Sequence, residues 1–198
     1  MYINDIVDLF ANSDVYVKLY ADDIKLYLDI ISDSDQHTLQ RSLQNFRLVQ
    51  NLATETIANN KCQHNRISLS MALPSTDYFI SDSNLPTVSS VRDLGVIVDN
   101  RLTFRDHINS IVSRGHLRPN QIWRCFICKD VCNLITAFIT YVRPMLEYCS
   151  PVWSPVSVSL INQLEPVQRR FTKRLPGFQS RPHHDRCARL GIDRSELR

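Results

Sequence analysis

The chain has no apolar run near the ~20 residues that a membrane-spanning helix needs, although 43% of its 198 residues are hydrophobic. Its first residues, Met1-Tyr2-Ile3-Asn4-Asp5, offer neither the basic nor the apolar stretch of a secretory leader. It also lacks internal repeats and low-complexity segments. Its six cysteines are irregularly spaced, so no disulfide framework is legible and reduced thiols are expected. These absences argue against a secreted or membrane-spanning protein. The expected setting is intracellular, in cytoplasm or nucleus.

What is present is a division of charge. Residues 1–100 carry 7 Lys and Arg against 13 Asp and Glu, and residues 101–198 carry 16 against 7. An acidic half beside a basic half suits a protein that holds metal with one part and a phosphate backbone with the other. A merely solvated basic face gives the same count.

The acidic half contains the most informative local pattern, Tyr20-Ala21-Asp22-Asp23. Val15, Val17 and Leu19 alternate with polar and aromatic residues before it. Ile24, Leu26, Leu28 and Ile30 do so after it. Period-two alternation on both sides predicts a β-hairpin with one buried face and the two aspartates at its turn. Carboxylates on a rigid turn can hold Mg²⁺, a hard cation that prefers oxygen ligands. Aspartate also serves turns for purely local reasons.

Beyond the hairpin, Asp33-Ser34-Asp35 supplies helix-capping groups, and Leu39, Leu43, Phe46 and Ala53 recur at helical spacing. Short strands are expected at Ile67–Met71 and Tyr78–Ile80. A further strand pattern over Val88–Asp99 is broken at Asp93-Leu94-Gly95, and Asp99-Asn100 reads as a turn. From about residue 106 the pattern is helical. Val131, Leu134, Ile135, Phe138, Ile139 and Val142 form an amphipathic stripe that Pro144 should stop or kink. Tyr148–Pro155 reads as a connector, and a last helix is expected from Ser159 to Leu175. The fold class is α+β, with residues 1–105 mixed and 106–198 all-α.

Several cysteine and histidine spacings resemble metal sites. Cys125, Cys128 and Cys132 share a helical stripe with Ile122 and Ile135, so a buried apolar face is favoured over zinc. His183, His184 and Cys187 make a weaker metal case. Trp123 and Trp153 read as packing residues.

The order of these pieces resembles the reverse transcriptase of non-LTR (LINE-type, Jockey-like) retrotransposons. The resemblance is carried by Tyr2-Ile3-Asn4-Asp5, Tyr20–Asp23, Lys61-Cys62 and Arg92-Asp93-Leu94-Gly95-Val96. A run of Leu102, Phe104 and His107 follows. The longest strings are Tyr141-Val142-Arg143-Pro144-Met145-Leu146-Glu147-Tyr148 and Val167-Gln168-Arg169-Arg170-Phe171-Thr172-Lys173. Together they cover essentially the whole chain.

The resemblance implies an RNA-directed DNA polymerase using Mg²⁺. Residues 1–105 would be a partial palm of antiparallel hairpins plus a helix, and 106–198 a helical thumb. Asp22 and Asp23 would be the metal-site carboxylates, and Tyr20 would lie beside the primer terminus and incoming deoxynucleotide. Lys61 would sit near the leaving pyrophosphate, and Leu94-Gly95 would lie in the primer grip. Arg169, Arg170, Lys173 and Arg174 would contact phosphates of an RNA template–DNA primer duplex, though a solvated face is their bland alternative. The chemistry would be attack of a primer 3′-hydroxyl on an α-phosphate, assisted by two metals.

The chain also departs from the family pattern. The family's further aspartate comes from an earlier strand, and only 19 residues precede Tyr20. Asp5, Asp8 and Asp14 lie too close to the hairpin to supply that strand and its crossover helix. The fingers are missing, and the family's last segment is cut within Leu190–Arg198. The expectation is therefore a palm-and-thumb fragment, inactive alone. A non-catalytic nucleic-acid-binding remnant is the alternative, and a degraded copy without function a third. Pro166 stands within the last helix, where a restart is expected, and His183-His184 replaces the family's Tyr-containing approach.

Overall fold

The computed structural model describes residues 10, 13–21, 23–50, 61–68, 76–80, 83–154 and 158–192, with backbone only at 46–50. The fold is α+β. The chain divides into two compact units, Met1–Ser89 and Ser90–Arg198. The division falls ahead of residue 106, because a strand hairpin at 90–99 packs with the helices that follow it.

In the first unit, β1 (Tyr16–Tyr20) and β2 (Asp23–Tyr27) form an antiparallel ribbon. Tyr16 pairs with Tyr27, Lys18 with Lys25 and Tyr20 with Asp23. The Tyr20–Asp23 pair thus closes the ribbon at a short loop, in which Ala21 has φ 53°. Such loops favour left-handed backbone because its twist matches that of the strands. Asp22 itself lies outside the described residues. Asp23 begins β2 rather than sitting in the turn. On the inner face, Leu26 packs against Leu43, Tyr78, Ile80 and Leu85.

Helix α1 (Asp33–Gln50) starts at its acidic cap. The Asp35 carboxylate accepts from Ile31 N at 2.9 Å and Ser32 N at 2.8 Å, while Asp35 N donates back to Ser32 O. Those backbone donors, Ile31 first and then Ser32, hold the Asp35 carboxyl below its usual value. The stripe behind the cap is partly borne out, with Leu43 buried and Leu39 against the same cluster. The side chain of Phe46 and the whole of Ala53 lie outside the described residues.

The Gln40 amide accepts from Phe79 N and donates to Phe79 O, both at 3.0 Å, which fastens α1 to β4 (Phe79–Ile80). β4 pairs with β5 (Ser83–Asn84). β3 (His64–Asn65) runs parallel to β6 (Thr87–Val88). The strand expected from Ile67 is therefore displaced. Ile67 is 54% exposed and unpaired in any sheet, and pairing occurs at His64–Asn65 instead, while residues 69–71 lie outside the described set.

The second unit opens with β7 (Ser90–Asp93) and β8 (Val96–Asp99). Leu94 (φ 44°) and Gly95 (φ 92°) make the tight turn, as the sequence break predicts. Asp99 then organises the next corner. Its carboxylate accepts from Arg101 N, Thr103 N, Thr103 Oγ1 and Phe104 N, at 2.6–3.1 Å. Burial alone would raise its carboxyl, and these four donors outweigh it and lower it. Leu102 and Phe104, both at φ 53°, are held there in left-handed backbone.

Among the described residues five helices follow: α2 (Arg105–Cys125), α3 (Val131–Tyr141), α4 (Arg143–Glu147), α5 (Ser150–Trp153) and α6 (Val158–Arg174). A sixth, α7 (His183–Leu190), was not anticipated. Leu134, Ile135, Phe138 and Val142 are buried as predicted, whereas Ile139 is 40% exposed. α3 ends before Arg143, and Pro144 enters the first turn of α4, where its missing N–H does no harm. The expected connector at 148–155 contains α5, and Pro155 lies outside the described residues. Helix α6 does not restart at Pro166 but runs through it. The lost donor falls to the carbonyl of exposed Asn162.

Phe138 of α3 stacks on Phe171 of α6, with centroids 4.5 Å apart. Trp153 is buried, and its indole N–H donates to Tyr148 O at 2.6 Å. His107 joins the hairpin to α2. It is 2% exposed, its Nδ1 accepts from Ile97 N at 3.3 Å, and its ring meets Trp153 edge-on at 5.3 Å. Accepting at Nδ1 assigns the ring proton to Nε2 in the neutral form.

Burial first, then the charges of Arg114 and Arg92, push His107 below the ordinary imidazole value of about 6.5. The unfolded chain then binds the proton more readily. Stability from neutral His107 is present above about pH 6.5 and lost as pH falls toward the depressed value. The denaturant midpoint of the second unit should therefore drop between pH 7.5 and pH 5. His107→Asn keeps an acceptor for Ile97 and removes the titration, so it should flatten that slope. An unchanged slope in the variant would contradict the assignment.

Candidate nucleic-acid interface

Two surfaces gather residues that the sequence singles out. The first is the end of the β1–β2 ribbon. Tyr20 is 65% exposed and stands opposite Asp23, which is exposed too. Lys61, also exposed, begins the segment leading to β3 in the same unit. Among the described residues no group of three His, Cys, Asp or Glu side chains could hold a metal ion. Asp23 brings one carboxylate to the ribbon end, so the described residues do not complete a Mg²⁺ site.

The second surface belongs to the helical unit. Arg170, Lys173 and Arg174 of α6 line a groove of about 340 Å³ with His116, Pro119 and Asn120 of α2. Val167 and Phe171 supply its apolar lining. Arg174 Nη1 donates to Asn120 Oδ1 at 2.8 Å, and its guanidinium lies over the Trp123 ring at 4.9 Å. That contact adds cation–π attraction and fixes the head of a long side chain. Lys129 lies over the same ring at 5.6 Å and donates to the carbonyls of Trp123 and Phe126. Burial first, then the positive charge of Arg170, lowers the His116 imidazole below its usual value. An anion in the groove would oppose that shift.

Arg169, the fourth predicted cation, is exposed but is not part of the groove lining. Its backbone carbonyl accepts from Arg186 Nη2 at 3.3 Å. The predicted pair Leu94-Gly95 also has a tertiary partner. Tyr148 OH donates to Leu94 O at 3.0 Å, and a β-carbon on Gly95 would meet Tyr148 Cε1 at 3.4 Å. A tyrosine thus covers this turn.

The sequence missed a buried polar set between α6 and α7. Glu165 and Arg186 are 2% and 4% exposed, and Gln168 and Thr172 are buried with them. His183 Nε2 bonds Glu165 Oε1, and Arg186 Nε donates to Thr172 Oγ1 at 3.1 Å. Gln168 Nε2 donates to Cys187 Sγ at 3.4 Å. His183 and Cys187 therefore belong to a packing network between helices. His184 is exposed and lies beside Asp185.

The predicted buried cysteine stripe is overturned. Cys125, Cys128 and Cys132 are all exposed. They do not share a helix, because α2 ends at Cys125 and α3 begins only at Val131.

The chain is 32% identical over 87 residues to an uncharacterized protein of Caenorhabditis elegans, a match covering 44% of each chain. No family model matches, and no solved structure matches.

The cysteines give a direct check of the helical unit. Cys125, Cys128, Cys132 and Cys149 should react rapidly with a thiol reagent in the native protein, whereas Cys187 should react only on unfolding. Mass-mapped labelling that spares the first four would contradict the break between α2 and α3.

Proposed function

We propose that the chain is the palm-and-thumb part of an RNA-directed DNA polymerase of the non-LTR retrotransposon type. The observation that carries this reading is the ribbon end. Of the Tyr-Ala-Asp-Asp sequence, Tyr20 ends β1, exposed and paired with Asp23 at the start of β2. The groove of Arg170, Lys173 and Arg174 supports it by offering cations suited to a phosphate backbone. In this reading residues 1–105 are the partial palm and 106–198 the thumb. The partners are an RNA template, a DNA primer and deoxynucleotides.

Mg²⁺ is the cofactor of the reading, and Asp22 and Asp23 are the carboxylates this chain contributes to it. A further carboxylate has to come from another palm strand. Lys61 and the Leu94-Gly95 turn keep the leaving-group and primer-grip roles that the resemblance implies. These 198 residues alone are accordingly not expected to extend a primer.

A second reading is favoured by one observation, the gathering of Arg170, Lys173 and Arg174 in one groove with His116 and Asn120. It makes the chain a non-catalytic nucleic-acid-binding module that works through the α2–α6 groove alone.

Binding and primer extension separate the two. The chain should bind an RNA–DNA hybrid with salt-dependent affinity. Replacing Arg170, Lys173 and Arg174 by Gln should lower the salt slope by roughly one per charge removed. Joined to an upstream palm segment that carries an aspartate strand, the chain should extend a primer with Mg²⁺. Asp22→Asn should then abolish extension while leaving hybrid binding intact. Failure to bind the hybrid contradicts both readings. Binding without any extension by the joined chain leaves the non-catalytic one.

A further inference from the structure

Cys125, Cys128 and Cys132 fall within eight consecutive residues, and the first two have Cys-x-x-Cys spacing. All three are exposed, free thiols. Neither the helical core nor the basic groove uses them. Exposure is the first requirement of a reactive thiol.

The loop between α2 and α3 doubles back. Phe126 N donates to Ile122 O at 3.1 Å, and extended backbone at Phe126 then ends α2. The chain bends at Ile127 and Cys128. Lys129 closes the reversal: its ammonium donates to the carbonyls of Trp123 and Phe126, six and three residues back, and lies over the Trp123 ring. A side chain reaches a carbonyl six residues earlier only where the backbone turns on itself. Cys128, next to Lys129, is thereby carried toward the end of α2, where Cys125 is the last residue. Cys132 belongs to a separate element, because Asp130 caps α3 ahead of it by accepting from Asn133 N at 3.1 Å.

Ile127, between the two thiols, is 98% exposed, so the tip of the loop is open to a second reactant. Arg124 and Lys129 flank the pair, and the one nearby carboxylate, Asp130, is engaged at the cap of α3. This charge balance favours an anionic reactant.

We infer that Cys125 and Cys128 form a dithiol site that exchanges electrons with small anionic disulfides such as oxidised glutathione. One cysteine thiolate attacks a sulfur of the substrate disulfide, which forms a mixed disulfide on the protein and releases one substrate thiolate. The other cysteine thiolate attacks the protein-side sulfur, closes the 125–128 disulfide and releases the second substrate thiolate. The two protons given up by the cysteines end on the two released thiolates. The protein is oxidised by two electrons and the substrate disulfide reduced by two. Excess substrate thiol runs both steps backward. With only two residues between the thiols, the second attack is intramolecular and outpaces capture of another substrate molecule. The site needs neither a metal ion nor nucleic acid, so it goes beyond both readings of function given above.

Mixtures of oxidised and reduced glutathione test this on the reduced 198-residue chain, quenched with acid and mapped by mass, under conditions in which buried Cys187 stays unmodified. Cys125 and Cys128 should appear joined to each other and free of glutathione. Cys149, exposed but without a nearby cysteine in sequence, should carry glutathione instead. Cys128→Ser should strand glutathione on Cys125, and Cys125→Ser should strand it on Cys128, each raising that adduct at least about tenfold over the native chain. Cys132→Ser should leave the 125–128 bond unchanged, and excess reduced glutathione should open it. The inference is overturned by glutathione on Cys125 and Cys128 at the level seen on Cys149, by a disulfide from either to Cys132 or to a second chain, or by a 125–128 bond that reduced glutathione fails to open.

Discussion

The close approach of α4 and α6 to α2 at Gly115 is the constraint on which the helical unit depends. A β-carbon at Gly115 would stand 2.8 Å from Leu146 Cδ2 and 3.3 Å from both methyls of Val167. All three residues are buried. Glycine in a helix interior is less favourable than alanine by about 1 kcal/mol, so its presence here reflects space. With α6 seated against α2, Phe171 reaches Phe138 of α3, and the cations of α6 come up beside His116 and Asn120. The core and the basic groove are consequences of one contact.

The polar network between α6 and α7 is the second consequence. A buried ionised group needs partners, and removing one of a buried pair is more damaging than never having had either. Arg186 is satisfied by the Thr172 hydroxyl and by the Arg181 and Arg169 carbonyls, while Glu165 is met by His183. These bonds tie α7 to the part of α6 that carries the exposed cations, so the basic row sits on a helix held from both sides. The zinc-like spacing of His183 and Cys187 is explained by this packing.

Local features were legible because their causes are local. The turn at Leu94-Gly95, the cap at Asp35, the stop at Pro144 and the ribbon around residues 20–23 each follow from a few neighbouring residues. What failed depended on where one element ends and another begins. The spacing of Cys125, Cys128 and Cys132 mimics one helix. Extended backbone at Phe126 ends α2, and Asp130 then caps α3 by accepting from Asn133 N at 3.1 Å. Glu165 and Arg186 were illegible for another reason, since charged residues read as surface until a partner helix covers them. Of the proposed site, Tyr20 and Asp23 fall on the predicted ribbon, but Asp23 is a strand residue. The four-cation cluster resolves into three groove residues, with Arg169 turned to a separate role through its backbone.

The most direct test of this account is the stability of Gly115→Ala and Gly115→Val, read by thermal unfolding. If only helix propensity mattered, Gly115→Ala would stabilise the protein. The crossing constraint predicts the opposite sign: a loss on the order of 1–3 kcal/mol for alanine, from overpacking, and a larger one for valine. A midpoint raised by Gly115→Ala would contradict the central claim.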